Sequence, residues 1–212
     1  MTVLGDFGQA IFTQSTNLQE SDSPLFRLYG ESETSLIRLV RSYRSTREIV
    51  EFTKELLADG AESSLARSGP KPLLVRLEGG EERDARMSQD IAALKAEGFD
   101  SIAVITKTAA ESRTAFESLR TQGSEALQLI TKETVTFEKG AVVIPVYLAK
   151  GIEFDAVLIY EASPQVYGRD NERKLLYTAC TRAMHRLQLY TTGDWSPFVQ
   201  ALPANLYEKA TY

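Results

Sequence analysis

The chain has 212 residues, 43% of them hydrophobic and 25% charged, with a formal net charge of −5. That composition is ordinary for a globular protein and long enough for one generous α/β domain, or a domain with an arm. One cysteine, Cys180, excludes an internal disulfide and a cysteine-rich metal cluster, and one histidine, His185, removes most histidine metal sites and leaves little room for a serine triad.

In chain order, Met1–Phe12 pairs the apolar Val3-Leu4 with a Gly5-Asp6 turn and then Ala10-Ile11-Phe12, the pattern of a buried strand end followed by a turn. Thr13 to Pro24 is polar and reads as linker. Ser35–Val40 is a strand candidate, and Thr46–Asp59 has helical spacing with Ile49, Val50, Phe52, Leu56 and Leu57 on one side. Gly60–Pro72 reads as a polar loop, Leu73–Leu77 as a strand and Arg83–Glu97 as a helix. Ser101–Thr106 is a near-continuous apolar run, as expected of a strand covered on both faces. Ala109–Thr121 follows as a helix, with Glu111 near its start and Arg120 in its last turn, both suited to the helix dipole. Short apolar strands are expected at Leu127–Ile130, Ala141–Val143, Ala156–Tyr160 and Leu187–Tyr190. A helix over Glu172–Ala183 separates the last two, and another starts after Asp194, a plausible N-cap. This alternation predicts a mainly parallel sheet with helices on both faces.

No apolar run approaches the roughly 20 residues of a membrane helix. The N-terminus MTVLGDFGQA lacks the basic flank and apolar length of a signal peptide, so a cytoplasmic location is expected. The acidic balance argues against a domain that grips nucleic acid mainly through its own surface, which would ordinarily be basic.

Four segments stand out: GDFGQAIF (Gly5–Phe12), SYRST (Ser42–Thr46), LAKGIEFDAV (Leu148–Val157) and LLYTACTRAMHRL (Leu175–Leu187), with SIAVITKTAAESR (Ser101–Arg113) between the second and third. In this order they resemble motif III to the end of the UvrD-like superfamily 1 helicases. Gly5-Asp6 with Gln9 resembles the GDxxQ element, and Tyr43-Arg44-Ser45 the YRS element. Ala103-Val104 with Ser112-Arg113 resembles the intervening motif. Ala149-Lys150-Gly151-Ile152-Glu153-Phe154 is similar to AKGLEF, and Tyr177 with Thr181-Arg182-Ala183 to YVALTRA.

The resemblance implies a RecA-like domain of the P-loop NTPase type that lacks the P-loop itself. Residues 1–24 would be an arm and linker from the end of the first RecA-like domain, and residues 25–212 the second RecA-like, or 2A, domain. It implies half of an ATP site. Charge develops on the γ-phosphate oxygens during transfer, and a cation from the facing domain stabilises it. Arginine suits that task through its planar, permanently charged fork. The resemblance gives that finger role to Arg44 and Arg182, γ-phosphate sensing to Gln9, adenine stacking to Tyr43, and nucleoside contacts to Gly151 and Glu153. Read alone, the arginines also fit surface ion pairs, Gln9 a turn, Tyr43 ordinary core, and Gly151 with Glu153 a helix-ending glycine and a solvated carboxylate. His185 and Cys180 read as structural, the first near a helix end and the second as a small buried residue, and Trp195 as packing the last helix onto the sheet.

No GxxxxGK[ST] loop and no Asp-Glu dipeptide occur in the sequence. The phosphate cradle and the Mg²⁺ ligands are therefore expected from an N-terminal RecA-like domain of the same protein, and the chain alone is expected to be inactive as an ATPase. DNA is the expected track, yet two positions depart from the family: Gln14 stands where an aromatic stacks on a base, and Tyr147 where a histidine approaches DNA. The interval from Ser45 to Ala149 leaves no space for a large 2B insertion. That points to the helicase-IV/HelD branch, whose Gram-positive members are associated with RNA polymerase recycling, and makes RNA polymerase a second expected partner.

Overall fold

The computed structural model describes residues 41–42, 44–57, 63–64, 67–124, 126–134, 136 and 139–211. The Met1–Phe12 arm with Gln9, the Ser35–Val40 strand candidate and Tyr43 lie outside the described residues.

Among the described residues, seven strands form one sheet: β3 (Leu73–Arg76), β4 (Ser101–Thr106), β5 (Leu127–Leu129), β6 (Gly140–Pro145), β7 (Phe154–Ile159), β8 (Ala183–Thr191) and β9 (Glu208–Thr211). Their spatial order is β5-β6-β4-β7-β8-β3-β9, and every neighbouring pair runs parallel. A separate two-residue pair joins β1 (Arg41–Ser42) to β2 (Ser63–Ser64), inside the stretch read from sequence as loop. The helices are α1 (Arg47–Leu57), α2 (Gly80–Ala96), α3 (Ala109–Thr121), the single turn α4 (Val146–Ala149), α5 (Asp170–Cys180) and the short α6 (Pro197–Gln200).

Strand side chains alternate between the two faces, so each central strand feeds two cores. Ala103, Ile105, Val157 and Ile159 pack with Ile49, Phe52 and Leu56 of α1 and Leu176 of α5. Ile102, Val104, Ala156 and Leu158 pack with Met87 and Ile91 of α2 and Leu119 of α3. The α/β sheet with helices on both faces is thus present. Trp195 packs half-buried on the first cluster, and Cys180 is fully buried in it, as read.

Several local expectations need correction. The helix read as Glu172–Ala183 is α5 and ends at Cys180, because from Ala183 onward the chain pairs with β7. His185 is therefore a strand residue. It stacks on Phe99, with ring centroids 5.8 Å apart, and meets Arg67 Nη2 at 3.0 Å through Nδ1. Burial and the neighbouring Arg67 charge hold its pKa below the usual value. The cap before the last helix is Ser196, whose Oγ accepts the Phe198 N–H at 3.3 Å, while Asp194 lies too early in the chain. Helix α2 starts at Gly80, ahead of the expected Arg83, since the acidic Glu81 and Glu82 favour its first turn. Strand β9 and turn α4 were not anticipated.

Candidate functional site

Parallel strands place all their N-termini along one sheet edge, and there three distant motifs meet. The bend Arg44-Ser45 leads into α1, whose apolar stripe anchors it to the first core. The hydroxyl of Ser45 donates to the Ala183 carbonyl at 2.6 Å, and the Thr46 N–H donates to the Met184 carbonyl at 3.1 Å. The bend is thus fastened to the first residues of β8, directly after Arg182.

On its other side the bend is clamped by residues 67–69. The Arg47 N–H donates to the Arg67 carbonyl at 3.0 Å. The Glu48 carboxylate accepts the Ser68 hydroxyl and the Gly69 N–H, each at 2.7 Å. Burial alone would raise the pKa of Glu48, but those two hydrogen bonds, with Arg47, hold it below the usual carboxylate range.

Between α4 and β7 the chain turns sharply. Gly151 has φ +86°, a left-handed conformation that a side chain resists, and among the described residues no atom lies within 4 Å of where its Cβ would be. The Ile152 N–H closes the turn on the Ala149 carbonyl at 3.1 Å. Glu153 follows and forms an ion pair with Arg44; the two side chains are 38% and 43% exposed. One residue on, the Phe154 N–H donates to the Arg182 carbonyl at 3.0 Å.

Arg182 itself is 1% exposed. Its Nε donates to the Thr178 carbonyl at 3.1 Å, Nη2 to the Thr181 hydroxyl at 3.1 Å and Nη1 to the Ile152 carbonyl at 3.5 Å. A buried guanidinium is tolerated only when such acceptors surround it. The sequence reading has this side chain reaching across a cleft; here it sits behind the Gly151–Glu153 turn, while Arg44 stands exposed in front.

Four of the six candidate residues, Arg44, Gly151, Glu153 and Arg182, therefore gather at one place, although they are far apart in the chain. The arrangement offers Arg44 as an exposed cation, Glu153 as an exposed carboxylate, and a turn at Gly151 with no described atom crowding its glycine. Such a surface can meet a phosphate and a hydroxylated ligand brought by a facing body.

The family model described as "UvrD-like helicase C-terminal domain" matches residues 140–190, the stretch that carries Gly151, Glu153 and Arg182. The C-terminal domain of a possible DNA helicase from Lactobacillus plantarum WCFS1 is 37% identical, with a TM-score of 0.70 over 79% of this chain and 98% of that one. The chain belongs to the UvrD-like helicase C-terminal domain family. Two viral helicase structures are more distant. Arterivirus nonstructural protein 10 in complex with DNA is 14% identical, with a TM-score of 0.43 over 76% of this chain and 37% of that one. The PRRSV helicase is 9% identical, with a TM-score of 0.41 over 79% and 32%. At those values neither carries any weight here. No curated protein matches the chain.

Elsewhere on this UvrD-like domain, Tyr147 lines a hollow of about 250 Å³ together with Arg113, Thr131 and Lys132. The Lys132 ammonium lies 5.7 Å from the Tyr147 ring centroid. At the opposite ends of the strands from Arg44, a cleft of about 440 Å³ is lined by Lys107, Arg169 and Glu172. The sequence reading quoted Ser45 and Thr46 within SYRST but gave them no role, and it missed the clamp 67–69; these roles arise from long-range hydrogen bonds. Gly69 lies in a stretch read only as loop, and its one signal was the Ser-Gly-Pro run at 68–70.

Proposed function

We propose that this domain closes an ATP site shared with an N-terminal RecA-like domain, in a DNA helicase or translocase. The observation that carries the reading is the convergence of Arg44, Gly151, Glu153 and Arg182 at one sheet edge. Arg44 is the first finger. An ion pair this exposed is worth only about 0–1 kcal/mol, so a γ-phosphate readily replaces the carboxylate of Glu153. Glu153, released, accepts the ribose hydroxyls, and the bare backbone at Gly151 lets the nucleoside approach. Arg182 is the second finger and joins on domain closure by exchanging its contacts with the Thr178 and Ile152 carbonyls for phosphate oxygens. Gln9 couples the γ-phosphate to domain movement, and Tyr43 stacks on the base. Mg²⁺, held by the facing domain, supplies neutralisation of phosphate charge.

Tyr147, with Arg113 and Lys132, contributes to the DNA path, the ring stacking on a base and the cations meeting phosphates. Closing and reopening of the two domains would move them along the strand. The net charge of −5 favours a second reading, in which the motor remodels RNA polymerase without separating strands. Strand unwinding by the full-length protein, set against co-purification of polymerase subunits, separates the two.

The direct test is ATP turnover by the full-length protein carrying Arg44→Ala. A finger is worth about 10³–10⁵ in rate. A loss on that scale with the fold intact supports the reading, and unchanged turnover overturns it. This chain by itself, without a phosphate loop in its sequence, is expected to turn over no ATP.

A further inference from the structure

We infer that Ser45 is a positioning residue: its hydroxyl holds Arg44 in register with Arg182, so that the two guanidinium groups act as one unit on the nucleotide. This rests on the proposed function and adds a residue to it.

The contacts form a closed circuit. Arg44 pairs with Glu153. Glu153 is joined through the peptide bond to Phe154, whose N–H donates to the Arg182 carbonyl at 3.0 Å. Arg182 is followed by Ala183, whose carbonyl accepts the Ser45 hydroxyl at 2.6 Å. Ser45 is bonded directly to Arg44. The circuit has three non-covalent links, and they differ in kind. One is an exposed ion pair that nucleotide would displace, and one is a backbone hydrogen bond at the start of β7. The Ser45 hydroxyl is the link made by a buried side chain, at 5% exposure, between residues 138 apart in sequence. Once phosphate has taken Arg44 from Glu153, the hydroxyl is the side-chain tie that keeps the Arg44 backbone indexed to Arg182.

Removing the hydroxyl need not unfold the bend. The Thr46 N–H still holds the Met184 carbonyl, the Arg47 N–H still holds Arg67, and Glu48 still caps Ser68 and Gly69. What is lost is angular control over the residue preceding the tie. Small misplacements of a group that acts in the transition state cost rate more than binding.

The test uses the full-length protein and steady-state ATP turnover, with thermal melts confirming that each variant is folded. Ser45→Ala is expected to lower kcat by roughly 10- to 100-fold with little change in KM, and Ser45→Thr, which keeps a hydroxyl, to recover most of the loss. In an Arg44→Lys background, where the fork is already gone, adding Ser45→Ala should cost little more. Wild-type kcat in Ser45→Ala overturns the inference. So does an equal loss in both backgrounds, because a general weakening of the fold would not depend on Arg44. If Arg44→Ala itself leaves turnover unchanged, the proposed function fails. If Arg44→Ala abolishes turnover and Ser45→Ala does not lower it, only the role of Ser45 fails.

Discussion

Thr46 fills the space above Gly69: a Cβ on the glycine would meet Thr46 Cγ2 at 2.5 Å and Thr46 Cβ at 2.9 Å. Thr46 cannot easily retreat, being 2% exposed and tied through its N–H to the Met184 carbonyl. Gly69→Ala is therefore expected to destabilise the domain by about 1–3 kcal/mol through overpacking. Urea unfolding checks this, and an unshifted midpoint would show that the clamp yields freely.

Gly151 presents the opposite case. Among the described residues nothing crowds it, and the backbone conformation, φ +86°, is what excludes a side chain. Gly151→Ala should cost about 1–2 kcal/mol. Gly151→Asn should cost less, since asparagine tolerates the left-handed region. Equal losses for the two substitutions, measured by denaturant unfolding, would contradict a purely conformational origin.

Glu172 gives the acid limb of stability a specific source. Its carboxylate accepts Lys107 Nζ at 2.5 Å and the N–H groups of Gly168 and Arg169 at 2.9 and 2.8 Å. Burial pushes its pKa up, but these partners outweigh burial and hold it below the usual value. A depressed folded-state pKa stabilises fully above the unfolded value of about 4.3, and that stability is lost as pH falls through the folded value. Urea midpoints taken from about pH 6 down to about pH 3 should fall less steeply in Glu172→Gln than in the wild type. Lys107→Met, which strands the carboxylate, should cost about 2 kcal/mol at neutral pH.

The reading from sequence succeeded where one local signal dominates. Ser101–Thr106 and Ala109–Thr121 match β4 and α3 residue for residue. The first is an unbroken apolar run, and the second is opened by Thr108 and Glu111 capping one another. It failed where tertiary pairing decides. Ala183–Arg186 is mixed and polar, yet it is the start of β8 because it lies against β7 at a register shift between Phe154 and Ala156. Strand β9 reads EKAT, a sequence with no strand signal, and exists because it pairs with β3. In the site, Arg44, Gly151, Glu153 and Arg182 were legible as members of motifs. The burial of Arg182 was not, since it depends on carbonyls of Thr178 and Ile152 that only folding brings near.

Cys180 should be chemically silent. It is fully buried, and burial pushes its thiol pKa far up, so almost no thiolate is present at neutral pH. An aromatic disulfide reagent should label it only at the rate of global unfolding. Rapid labelling of the native protein would mean that helix α5 opens locally.

The two cores lie on opposite faces of one sheet, with successive residues of β4 and β7 committed to alternate faces. Sliding any strand by a single position would swap both sets at once, a penalty that makes the sheet a stiff plate. If Arg44 meets phosphate as proposed, a displacement there would be passed to the far margin, where Lys107 and Arg169 sit, as rotation of the whole body.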